Sequence, residues 1–293
     1  MTIDRRGLLG GMTGAALLAP FLAVERAMAQ AAGHEGHTPA AGNPSLAEQK
    51  AMAARHEELM KQLMGDNLFR NEEVAMLVYP GFTALDLVGP HYFFACMFGA
   101  KVHLVTTGAD LAPVGSDLGL AIAPTVRLED VPKNLDVLFV PGGTQGTLSV
   151  MRDTRTMDWI RDRASRAKHI TSVCTGSMVL GRAGLLRGRR ATSHWATVPV
   201  LPDFGAIPVD ARVVRDGNIL TGAGVSAGID FAIALVEQLR GRNYAEALVL
   251  QAEYAPEPPI RAGSLAEASP LTGEMMQTMF AGVREEFRAL AIG

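Results

Sequence analysis

In the stretch HITSVCTGSMVLGRAGLL, residues 169–186, a run that reads as a buried strand reaches Cys174 and turns at Thr175-Gly176 into an amphipathic helix. A side chain at such a turn is presented at the carboxyl end of a sheet, where open α/β folds bind their ligands. The helix that follows directs free N–H groups and the positive end of its dipole at the sulfur, and both effects favour thiolate over thiol. A cysteine picked at random is a buried, inert core residue. The Gly176 turn and the polar neighbours make Cys174 a candidate nucleophile instead.

Working outward, short apolar runs alternate with helical stretches. Residues 74–79, 102–106, 137–140 and 170–173 read as strands; 90–97, 156–167, 176–183 and 225–239 read as helices. Continuously apolar strands between helices predict an α/β domain with a mainly parallel sheet covered on both faces. Residues 212–215 and 218–221 flank Asp216-Gly217, a hairpin turn signal.

The ends of the chain carry other signals. Arg5-Arg6 precedes a mildly apolar stretch at 7–24, and Ala27-Met28-Ala29 supplies a small-x-small pattern. Residues 1–29 therefore read as a twin-arginine-type export signal, which implies a periplasmic or secreted protein; an unused signal leaves it cytoplasmic. The glycines and Pro20 in that stretch make it a poor membrane span, so no integral segment is expected after cleavage. Residues 30–44, rich in Ala, Gly, Pro and His, read as a disordered linker in which His34 and His37 are solvated. Ser45 and Glu48 form a capping box that opens a helix at 45–65, closed by Gly65. A C-terminal helical extension at 264–293 is expected to be one helix after Pro270. It places Met276, Met279, Phe280, Val283, Phe287 and Leu290 on one face, suited to docking on the domain or on a second copy.

Composition narrows the function. The 293 residues carry a formal net charge of -3, which argues against nucleic acid as a partner. Two cysteines, Cys96 and Cys174, make neither a disulfide framework nor a zinc site, so no metal is expected; Cys96, after the aromatic run YFFA, reads as a core residue. The run LFVPGGTQG ends a buried strand in Pro141-Gly142-Gly143, and the amides of Gly142 and Gly143 are candidate oxyanion donors. Asp86, in YPGFTALDLVGP, falls between the first strand and the first helix, either at the same sheet edge or as a helix N-cap. His194, beside Trp195, either lines a pocket or is a structural histidine.

Together these pieces resemble the DJ-1/PfpI superfamily, and within it the members that hydrate isonitriles. The similarity runs from about residue 74 to 263 and rests on ALDLVGP, LDVLFVPGGTQG, TSVCTGSMVLGRAGLLRGRRATSHWA, VVRDGNILTGAGVSAGIDFAIALVEQL and EYAPEPP followed by AGS. It implies a flavodoxin-like three-layer sandwich, of the class I glutamine amidotransferase type, spanning 70–263 with extra N- and C-terminal helices, and a homodimer. It also implies catalysis by Cys174, Asp86 and Thr175 on a small-molecule substrate without a cofactor. Val88 stands where the motif commonly has threonine. Thr175 after the cysteine, and the lack of an H-x-E arrangement among His91, His103, His169 and His194, argue against peptidase and glutaminase chemistry. Two alternatives stay open: a non-catalytic small-molecule sensor, and a thiol enzyme acting on reactive carbonyls. A DNA-binding regulator is disfavoured because only thirty residues follow Gly263 and they are not strongly basic.

Overall fold

The computed structural model describes residues 44–291, so the expected signal at 1–29 and the expected linker up to residue 43 lie outside the described residues. Contacts divide the chain between Glu57 and Glu58. Helix α1 (Leu46–Met64) crosses that division and has no buried residue. Its capping box is formed: the Ser45 amide donates to Glu48 Oε2 at 2.6 Å, and the Glu48 amide donates to Ser45 Oγ at 3.3 Å.

The second unit is built on a seven-stranded sheet. Its order is β10 (Val213–Asp216), β11 (Ile219–Gly222), β7 (His169–Val173), β6 (Val137–Val140), β1 (Glu73–Val78), β2 (Lys101–Thr106) and β5 (Val126–Arg127). Every pairing is parallel except β10 with β11, the hairpin that turns at Asp216-Gly217 with Gly217 at φ +62°. Two short pairs stand apart, β3 (Val114–Gly115) with β4 (Ala121–Ile122), and β8 (Arg190–Ala191) with β9 (Ile207–Pro208). All four residues of β6 and the last five of β1 are buried. That is the burial expected of strands covered on both faces.

The flanking helices form two groups. One contains α2 (Ala84–Ala95), α6 (Ala227–Arg240) and α7 (Arg242–Gln251); the other contains α3 (Thr144–Arg152), α4 (Thr154–Ala164), α5 (Gly176–Arg182) and, from the C-terminus, α9 (Ala281–Ala291). Phe94 of α2, Phe139 of β6 and Phe231 of α6 meet with ring centroids 5.6–6.4 Å apart, which ties one helical group to the sheet. The architecture is the expected flavodoxin-like sandwich. In the sequence β2-β1-β6-β7-β11 the chain reverses direction between β1 and β6, and that switch point opens the crevice where the candidate residues gather.

Three local expectations differ from the structure. Helix α2 begins at Ala84 rather than near residue 90, because the chain carries the helix straight through Pro90. Pro90 has no N–H to give the Asp86 carbonyl, and its ring crowds that carbonyl. Helices α3 and α7 were not among the expected elements. The C-terminal extension is two helices, α8 (Pro270–Met279) and α9, with Phe280 at the break. The expected single face is therefore split: Phe287 is fully buried and Val283 and Leu290 pack on the core, while Met279 is 59% exposed.

Beyond the sheet, one buried ion pair holds the start of β1 to the end of α6. The Arg240 guanidinium, 2% exposed, donates to Glu72 Oε1 at 2.7 Å and to the carbonyls of Asn67, Leu68, Arg70 and Phe98 at 2.8–3.1 Å. Arg240→Met leaves Glu72 buried with only the Arg70 guanidinium, 4.0 Å away, and takes the Arg240 donor from the carbonyls of Asn67, Leu68 and Arg70, while that of Phe98 keeps the Arg70 amide at 3.3 Å. Loss of a buried partner of this kind costs about 3–5 kcal/mol. Urea unfolding should show that loss as a lower midpoint at unchanged slope.

Candidate active site

Cys174 follows β7 and sits at φ +58°, a left-handed conformation shared among the described non-glycine residues only with Glu253. A cysteine does not adopt it freely. The amide of Cys174 donates to the carbonyls of Gly222 and Ala223 at 3.1 and 2.8 Å, which clamps the turn to the end of β11. Its carbonyl accepts the hydroxyls of Ser177 and Ser193, both at 3.1 Å. Gly176 completes the elbow, since a Cβ there would run into the carbonyl oxygens of Val140 and Pro141 at the end of β6. Ser193 was not foreseen, because nothing local marks a serine in a loop as the partner of a distant carbonyl.

Asp86 reaches the same place from the first turn of α2, where it is completely buried. It does not cap the helix. That position belongs to Thr83, whose amide donates to the Gly142 carbonyl at 2.8 Å. Asp86 Oδ2 instead accepts the amide of Gly142 at 2.9 Å, while Oδ1 is buried with no hydrogen-bond partner among the described residues. Gly142 is the wall between the Asp86 carboxyl and the Cys174 side chain. A methyl there would lie 2.6 Å from Asp86 Oδ2, 2.7 Å from Cys174 Cβ and 2.7 Å from the Thr175 nitrogen. Two residues along α2 from the buried carboxyl, Val88 is 37% exposed, so the departure from the family motif falls on the outer side of the helix.

The expected oxyanion donors are engaged elsewhere, which corrects that reading of Gly142 and Gly143. The Gly142 amide is taken by Asp86, and the Gly143 amide donates to Thr175 Oγ1 at 3.0 Å. These amides position the acid and the threonine. Thr175 is itself buried, and its hydroxyl continues into Thr147 Oγ1 at 2.9 Å.

Electrostatics also differ from the reading of a helix-activated thiolate. Burial, followed by the charge of Asp86, pushes the Cys174 thiol well above its usual range, against the opposing pull of the Thr175 amide and hydroxyl. A thiol 5% exposed beside a carboxyl stays protonated. Burial likewise raises Asp86 to about 7, opposed by the Gly142 amide and the Cys174 thiol and assisted by nearby Asp117. Asp117, in the β3–β4 turn, accepts the Thr83 hydroxyl at 2.6 Å and carried no signal in the sequence.

His194 is beside the site without bonding to its acid or its thiol. Its ring lies against Gly224, next to the Ala223 carbonyl that holds Cys174, and packs with Trp195 and Phe280 at centroid distances of 5.3 Å. Burial lowers His194 to about 4, so it is neutral. His103 bonds Glu73, and His169 bonds Gln238 at the opposite end of β7, so neither completes a triad. Cys96, away from the site, is half-buried and accepts Gln251 Nε2 at 3.7 Å. Among the described residues, no group of three His, Cys, Asp or Glu side chains is placed to hold a metal ion, and no helix is long and apolar enough to cross a membrane.

A cysteine at a strained strand-to-helix elbow, faced by a buried carboxyl across a glycine, defines a class of thiol-bearing flavodoxin-like domains. Comparison with known proteins agrees. The DJ-1/PfpI family model matches residues 72–238. An isonitrile hydratase of Pseudomonas putida is 51% identical over 192 residues, 66% of this chain and 82% of that protein. The DJ-1alpha protein of Drosophila melanogaster is 32% identical over 149 residues, 50% of this chain and 69% of that one. Among solved structures, a THiJ/PfpI family protein from Pseudomonas syringae superposes with a TM-score of 0.76 at 44% identity, covering 88% of this chain and 98% of its own. The chain belongs to the DJ-1/PfpI family.

The raised carboxyl has a consequence for stability. A folded-state value near 7 against an ordinary 3.8 means the folded protein holds the proton more tightly than the unfolded chain. That contribution is complete below about pH 4 and is lost as the pH climbs through about 7. Asp86→Asn keeps an acceptor for Gly142 and removes the titration. Its unfolding free energy relative to the parent should therefore grow by a few kcal/mol between about pH 4 and 7 and then level off; a difference independent of pH would contradict the raised value.

Proposed function

We propose that this protein hydrates isonitriles to N-substituted formamides, with Cys174 as nucleophile and Asp86 as proton carrier. The observation that carries the reading is the neutral thiol paired across Gly142 with a carboxyl that burial raises to about 7. A group balanced between acid and base near neutral pH is suited to taking a proton and returning it within one turnover. The 51% identical isonitrile hydratase supports the choice of substrate.

As carboxylate, Asp86 takes the Cys174 proton and passes it to the terminal carbon of R–N≡C, while the sulfur bonds to that same carbon. The product is the thioimidate R–N=CH–S–Cys174. Water then adds: its oxygen bonds to the carbon, one proton goes to nitrogen, the C–S bond breaks and the second proton returns to sulfur. R–NH–CHO leaves and the thiol is restored. Thr175 Oγ1 holds the attacking water. Protons, sulfur and water balance without a cofactor. Reactants and resting site are uncharged apart from the single carboxylate, which keeps the number of buried ions low. In this reading the enzyme works as a homodimer on a small molecule and is exported through its twin-arginine segment.

Purified protein incubated with cyclohexyl isonitrile should yield N-cyclohexylformamide, read by chromatography. Cys174→Ala should reduce the rate by about 10³-fold or more, as expected for loss of a covalent nucleophile. Absence of formamide from the intact protein, or equal turnover by the variant, would reject this assignment.

A further inference from the structure

Behind Thr175 runs a chain of buried hydroxyls in which one set of proton directions makes every contact a hydrogen bond. The Tyr79 hydroxyl has one proton, and at 2.7 Å from the Pro141 carbonyl, which can only accept, that proton is committed. In the contact between Tyr79 and Thr147 at 3.2 Å, only Thr147 can then be the donor. With its proton spent, Thr147 must accept in the 2.9 Å contact with Thr175. Thr175 thus donates inward, away from the sulfur, and its oxygen receives the Gly143 amide at 3.0 Å. The alternative acceptor for its proton, the Gly143 carbonyl, is farther away at 3.4 Å. Tyr79 and Thr147 are fully buried, so water does not compete for these bonds.

We infer that Tyr79 and Thr147 are positioning residues that hold the Thr175 hydroxyl as an acceptor toward the reacting sulfur and water. Neither touches the reacting atoms. With its proton turned inward, Thr175 offers a lone pair to the thiol or to the hydrolytic water. The polarity begins at the Pro141 carbonyl, in the same Pro-Gly-Gly turn that orients Asp86. Its bearing on turnover rests on the proposed hydration; its bearing on the thiol does not.

The test is the pH dependence of Cys174 alkylation by iodoacetamide, followed by mass spectrometry of the Cys174 peptide so that Cys96 does not contribute. Thr147→Val keeps the side-chain shape and leaves Tyr79 bonded to Pro141, but removes the acceptor for the Thr175 proton. Tyr79→Phe breaks the chain independently: Thr147 then turns its proton to Thr175, which releases its own. In both variants the freed proton can turn to the sulfur. Alkylation at a fixed pH below the thiol midpoint should speed up by about threefold or more, with the midpoint moving down by about half a pH unit. Thr147→Ser retains the hydroxyl and should behave as the parent. Unchanged or slower alkylation in Thr147→Val and Tyr79→Phe, or a serine variant that behaves like the valine one, would overturn the assignment. With isonitrile, both chain-breaking variants should lower kcat at unchanged KM. Should the parent show no hydration at all, the proposed reaction fails, while the alkylation shift still decides the role of the chain.

Discussion

The site depends on keeping Cys174 in a backbone conformation that its side chain disfavours by roughly 1–2 kcal/mol. Two carbonyls at the end of β11 take its amide, two serine hydroxyls take its carbonyl, and the glycine after it admits the end of β6 to close contact. These partners come from the end of β11, the first turn of α5, the loop holding Ser193 and the end of β6. The strain therefore persists only when β6, β7, β11 and the loop holding Ser193 are all in place, so the elbow is assembled by the finished sheet.

The same compactness decides the electrostatics. Three strand ends and the first turn of α2 crowd around Gly142 so closely that no solvent reaches the carboxyl, and desolvation outweighs the favourable amides at both the acid and the sulfur. A helix terminus lowers a thiol's pKa when the thiol is partly exposed, as the isolated sequence pattern suggests. Here the backbone amides that could have served as a general anion trap are each committed to one side chain. What results is a protonated thiol beside a carboxyl that burial raises to about 7.

The parts of this arrangement that were legible in the sequence are those carried by local pattern. Runs such as VLFV and EVAMLV could only be strands buried on both faces, and the turn chemistry of Gly142, Gly176 and Asp216-Gly217 announced itself residue by residue. What stayed hidden is set by partners distant in the chain. Pro90 suggested a helix start because a proline in mid-helix is rare, yet Asp86 lies in the helix before it. Thr147 is buried on α3, and a threonine there has no meaning until Thr175 and Tyr79 are placed around it. Asp117 and Ser193 are legible only through the bonds they make.

The break at Phe280 shows how an extension outside the family-matched region is fitted to the same site. A continuous helix over residues 270–291 would spread its apolar residues along one stripe. By ending α8 at Met279 and restarting at Ala281, the chain turns Phe280 onto His194 and Trp195, while Phe287 enters the core beside α3 and α5. Salt links from Glu286 to Arg152 and from Arg288 to Asp203 fix α9 at the surface, though exposed pairs of this kind contribute little energy. The aromatic contacts, half-buried at Phe280 and fully buried at Phe287, carry the docking. One of them backs onto Gly224, next to the carbonyl that clamps Cys174, so displacement of the C-terminal helices would remove packing from the elbow itself.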